Sequence, residues 1–163
     1  MNEILLISLA IIIFSINLIP YFIVLGSFFP SRTAKTIDNA TRLPGRAFVT
    51  GMVNFIFFLV IALAFFSIAE KVDGFLKVLL LLPSLLVTII LSTALSFGLC
   101  SMSQLIGERI APTQSTWKHT LWGALLLGLG GSVPLVGWFL LLPCAAWVGM
   151  GAFIISFFQK TTG

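Results

Sequence analysis

Charge is what this chain has least of: 9% of its 163 residues are Asp, Glu, Lys or Arg, five acidic and nine basic. A soluble domain carries about 25% charged residues. So few charges cannot cover a water-facing surface, and a hydrophobic content of 59% excludes a disordered chain. Histidine occurs once, as His119, and cysteine twice, as Cys100 and Cys144. One histidine with no cysteine or carboxylate cluster beside it gives a zinc or haem site nothing to build on, so no metal and no cofactor is expected. A Ser-His dyad would have to draw on that same residue, and no catalytic residue is assigned: the chain reads as non-enzymatic. Both cysteines fall inside apolar runs and read as small packing residues rather than as a disulfide. The net charge of +4 is expected to come from basic cytoplasmic loops, not from nucleic-acid binding.

What the chain does have is apolar runs long enough for a bilayer, which needs about 20 residues per span. Residues 1–163 read as a single integral membrane domain, an all-α polytopic transmembrane helical bundle. Five spans are expected, at about residues 4–29, 47–69, 78–106, 117–132 and 135–158. The first follows Asn2 and Glu3 rather than a positive segment and ends without an Ala-x-Ala-like site, so it reads as a retained span and not a signal peptide. The last apolar stretch would make about 60 Å of helix, twice a hydrocarbon core of about 30 Å. Gly130, Gly131 and Pro134 divide it in two.

Lys/Arg bias sets orientation. With the N-terminus outside, Arg32, Lys35, Arg42, Arg46, Arg109, Lys118 and Lys160, seven of the nine basic residues, lie in the cytoplasm. The expected location is therefore a membrane, N-terminus outside and C-terminus cytoplasmic. Trp117 and Trp122 then flank the cytoplasmic edge and Trp138 the outer turn, at headgroup level, while Trp147 lies deeper and packs against a neighbour.

No ionisable residue falls in the interior of any expected span, which argues against a proton- or sodium-coupled transporter. The third span carries Ser84, Thr88, Ser92, Ser96 and Cys100 every four residues, with Ser103 rejoining them, all within an arc of roughly 160° at about 100° per residue. This stripe reads as a helix-packing seam, or as the lining of a water-filled groove or pore. As a seam it would be overpacked by Leu at Ser92 or Ser96, while Ser101 on the opposite face would accept Leu. Ala145, Gly149 and Ala152 form a small-residue face in the last span. Asn17 and Asn54 interrupt the first two spans and read as interhelical polar contacts, paired with each other or with the stripe.

The first polar segment is expected to hold a short amphipathic helix over residues 31–43, capped by Ser31 and stopped by Pro44-Gly45. Arg32, Lys35, Asn39 and Arg42 share one face, and Ala34, Ile37 and Thr41 the other. With Arg46 the basic residues form a cytoplasmic surface, either a topology signal or a docking surface for a partner or for anionic lipid at the 31–46 loop.

Phe28-Phe29-Pro30-Ser31-Arg32 ends the first span, and Leu43-Pro44-Gly45-Arg46 with Gly51 opens the second. Residues 123–129 then lead into Ser132-Val133-Pro134-Leu135-Val136-Gly137-Trp138, and Gly149-Met150-Gly151-Ala152 follows. This order resembles the C-terminal multi-span membrane domain of bacterial bactofilin-like, polymer-forming proteins, here without the polymer-forming domain and with residues 70–77 in place of that family's turn between the second and third spans. The resemblance implies a membrane anchor or scaffold module and carries no catalytic residue. The expected function is a non-enzymatic scaffold, anchor or accessory subunit that contacts the lipid bilayer and packs against other membrane-protein subunits. The alternative is a small channel or facilitator lined by the Ser/Thr stripe.

Overall fold

A computed structural model describes residues 17, 19–131 and 136–158, without the side chain of Trp138. Most of the first expected span, the Ser132–Pro134 break and Lys160 lie outside the described residues. Within them the chain is all-helical.

A short apolar helix, Ile19–Phe28 (α1), leads into Pro30–Arg42 (α2). Pro30 occupies the first turn of α2, where its missing N–H goes unneeded. The capping position is therefore Phe29 and not Ser31. Only Leu43 separates α2 from Pro44–Glu70 (α3). Its φ of −135° and ψ of 57° are what a following proline imposes, since the Pro44 ring excludes the α conformation from the residue before it. The helix direction changes there while hydrogen bonding carries on, from Leu43 N to Asn39 O at 3.1 Å and Ala47 N to Leu43 O at 2.9 Å.

Helix α3 runs 27 residues, about 40 Å. Gly74, at φ 72°, supplies the positive-φ residue at which the hairpin turns back, and Phe75–Ile110 (α4) follows. Helix α4 has 36 residues, about 54 Å, and exceeds the expected third span at both ends. Pro83 lies inside it without ending it. Pro112 does end it, through Ala111 at φ −133°. Thr116–Gly131 (α5) returns along α4: His119 meets Gly107, and Gly123 meets the Ser103 backbone. A π-helical turn, Gly137–Leu141, then opens Leu142–Phe158 (α6).

Among the described residues, three helical stretches are long and apolar enough to cross a membrane: α3, α4 and residues Phe139–Phe158. Helix α5, with 16 residues or about 24 Å, falls short of a core of about 30 Å on its own. Burial divides the long helices. Of the spanning windows, 11% in α3 and 17% in α4 is buried inside the molecule, against 39% in the third. The α3–α4 hairpin thus turns most of its side chains outward, and α6 is the packed element.

Helix α6 is packed through small residues. Gly149 and Gly98 meet backbone to backbone, Gly51 meets the Trp147 carbonyl, and Gly151 meets the Ala47 carbonyl. A side chain at any of these points would separate the helices. Around the crossings Leu91, Ala94, Met150 and Phe153 form one apolar cluster, with Phe97 stacked on Phe153 at 4.9 Å. Trp147 packs edge-on against Phe48 at 5.5 Å, as its position in the last span predicts.

Candidate functional site

Three features gather the residues singled out in the sequence: the polar stripe of α4, the small-residue face of α6 and the basic end of the bundle.

The stripe does not face one neighbour. Ser84 is buried and donates to Ala62 O of α3 at 3.0 Å. Thr88 is exposed and donates to Ser84 O, 2.8 Å away in its own helix. Ser92 is exposed and Ser96 half-buried. Cys100 is buried with its thiol on Phe22 O of α1 at 3.3 Å, and Ser103 is buried with its hydroxyl on Cys100 O at 2.8 Å. A four-residue step advances by about 40° each time. The two ends of the stripe therefore meet α3 and α1, and its middle meets neither. Ser101, expected on a tolerant face, is 1% exposed and donates to Phe97 O at 2.8 Å. Ser101 thus does not lie on an open face, because α4 is enclosed on several sides at this level. Gln104, also buried, lies against Gly26 of α1. The missed signal was Ser103-xxx-Gly107, a small-residue spacing that pairs with Gly123 and His119 of α5.

The small-residue face is buried at all three positions, Ala145, Gly149 and Ala152. Ala152 packs with Ala40 and Ala47, and its carbonyl accepts the Asn39 amide at 3.4 Å. Asn39 thus belongs to the buried side of α2 with Thr33, Thr36 and Ala40, not to its basic side. The expected apolar face of Ala34, Ile37 and Thr41 is not the docked one. Asn54 donates from Nδ2 to Thr50 O at 2.8 Å, one turn back on its own helix, instead of across to another helix. Asn17 is exposed.

The four cations of the expected basic surface are exposed. Arg32 sits over the Phe157 ring at 4.4 Å, and Arg42 pairs with Asp38 at 2.6 Å. Asp38 in turn shares a recess with Glu108 and Arg109 of α4. Lys118 lies 5.6 Å over Trp117, and His119 Nε2 donates to Ala111 O at 3.0 Å.

Two open clefts complete the surface. One, about 690 Å³, is almost entirely apolar and lies between α4, α5 and α6, lined by Met102, Leu127, Cys144 and Ala145 among others. The other, about 680 Å³, lies between α3, α4 and α6 and includes Thr50, Asn54 and Thr93. Neither is lined by an ionisable side chain of Asp, Glu, Lys, Arg or His. Among the described residues, no group of three His, Cys, Asp or Glu could hold a metal ion. Both described cysteines are free. No protein-family model, no curated protein and no solved structure matches this chain. The geometry thus offers helix-packing surfaces and one charged end.

Proposed function

We propose that this chain is a non-enzymatic scaffold or accessory subunit of a bacterial cytoplasmic membrane, which packs against partner membrane proteins through the outward side of its α3–α4 hairpin. The observation that carries this reading is Asn54. It is half-buried in the cleft between α3, α4 and α6, and its described bond uses one N–H. Lipid tails offer no partner to the rest of that amide, whereas a polar side chain on a neighbouring helix does. The resemblance to the bactofilin-like membrane domain points the same way, to a membrane anchor or scaffold module.

A photo-crosslinking residue at Ile90, on the cleft wall, is expected to capture a membrane protein in intact cells. Asn54→Leu is expected to weaken that capture. Capture of lipid alone would overturn the reading. A second reading, a channel built between copies, draws on the outward Thr88 and Ser92. Crosslinks solely to further copies, with ion conductance of the reconstituted protein, would replace the first reading by the second.

The proposed topology keeps five spans with the N-terminus outside. Thr113→Cys is expected to resist an impermeant thiol reagent in intact cells and Asp73→Cys to react, both in a background with the native cysteines replaced. The reverse pattern would invert the orientation.

A further inference from the structure

The sequence places basic residues in two separate segments, and the fold joins them. Arg32, Lys35 and Arg42 lie on α2 and Arg46 at the start of α3; the recess of Asp38, Glu108 and Arg109 joins α2 to the end of α4. Contact between Gly107 and His119 brings Lys118 to the same end. Among the described residues, six exposed cations thus lie toward this end of the bundle, with Asp38 and Glu108 as the carboxylates beside them. At the other end of α4, about 48 Å from Arg109 along the helix, Glu70, Lys71, Asp73 and Lys77 sum to zero.

The cations are not equivalent. Arg42 is already engaged by Asp38, and Arg32 lies on Phe157. Among the described residues, Lys35, Arg46 and Arg109 make no ion pair. Trp117 and Trp122, 50% and 45% exposed on α5, place two indoles at this end, side chains that favour the headgroup level of a bilayer. We propose that this end binds the phosphate headgroups of anionic phospholipids, with Lys35, Arg46 and Arg109 as the contacting cations. The proposal rests on the membrane reading above and names a lipid for it. Headgroups lie wherever a spanning helix meets water, and an excess of positive charge there selects the anionic ones.

The test uses the full chain in detergent micelles, titrated with phosphatidylglycerol or phosphatidylcholine of matched tails and read by native mass spectrometry. Phosphatidylglycerol is expected to be retained preferentially, and less so as salt rises. Combined Lys35→Gln, Arg46→Gln and Arg109→Gln is expected to weaken its binding by about fivefold per charge removed. Lys77→Gln, at the neutral end, is expected to change nothing, and the charge-keeping Lys35→Arg to preserve binding. Unaltered helix content and melting in the triple variant separate lost binding from lost fold; if it unfolds, single Arg46→Gln is read in its place. Equal retention of the two lipids, or unchanged binding in the folded variant, overturns the proposal. So does loss of an acidic protein partner with lipid binding intact. Release of the chain from membranes by alkaline carbonate would instead defeat the membrane reading itself.

Discussion

Gly123→Leu is expected to yield no folded protein, and Gly123→Ala to lose about 3 kcal/mol of stability. A Cβ at Gly123 would run into the Ser103 carbonyl, which is backbone and cannot swing aside. The only relief is to move α5 away from α4, which also undoes the contact of Gly107 with His119. Helix association inside a bilayer relies on such close approach, because lipid tails compete with apolar side chains on equal terms. Gly45→Ala is the control. Nothing lies within 4 Å of a Cβ there, and the residue sits in the first turn of α3. Its stability is expected to hold or to rise by up to about 1 kcal/mol, because alanine surrenders less backbone freedom than glycine. Denaturant unfolding in micelles checks both. Equal stability of Gly123→Ala and wild type would show that the α4–α5 crossing has room for a Cβ at this position.

Ser103→Leu is expected to destabilise by about 3 kcal/mol, with Ser101→Leu close behind, while Ser92→Leu stays within about 0.5 kcal/mol of wild type. Ser103 and Ser101 are 0% and 1% exposed, and Ser92 is exposed. This ranking differs from the one that stripe periodicity gives, where Ser92 is the sensitive position and Ser101 the tolerant one. The same unfolding assay decides between them. Tolerance at Ser101 together with damage at Ser92 would restore the stripe as a single seam.

The reason for that disagreement shows what a sequence of this kind makes legible. Breaks are local and could be read directly: Pro44, Gly74 and Pro112 stop or reverse the chain through their own backbone restrictions. The apolar runs could be read too, because length and composition alone mark α3, α4 and the Phe139–Phe158 stretch. Facing could not. Helix α2 docks through Thr33 and Thr36, whose hydroxyls return to Phe29 O at 3.0 Å and Arg32 O at 2.9 Å and leave their methyl groups to pack. A reading by residue polarity puts those threonines on the wrong side. The basic end was half legible: each cation was visible, but joining α2 to α4 depends on contacts between segments over sixty residues apart in sequence.

The hydrogen bonds of the α3–α4 hairpin bear on how the protein is made. Ser84 donates across the hairpin to Ala62, and Thr88, Thr93 and Asn54 each donate one turn back on their own helices. None of the three hydroxyl donors waits for a helix translated later, so apart from the rest of the Asn54 amide the hairpin is fit to leave the translocon and enter lipid as a unit while α5 and α6 are still on the ribosome. Helix α6 is the opposite case: Gly149 and Gly151 fit only against backbones already in place, and the Ala152 carbonyl meets an amide supplied by α2. In the order of synthesis α6 therefore packs after the hairpin, and a nascent chain that stalls before it leaves Gly51 and Gly98 without the backbone they fit.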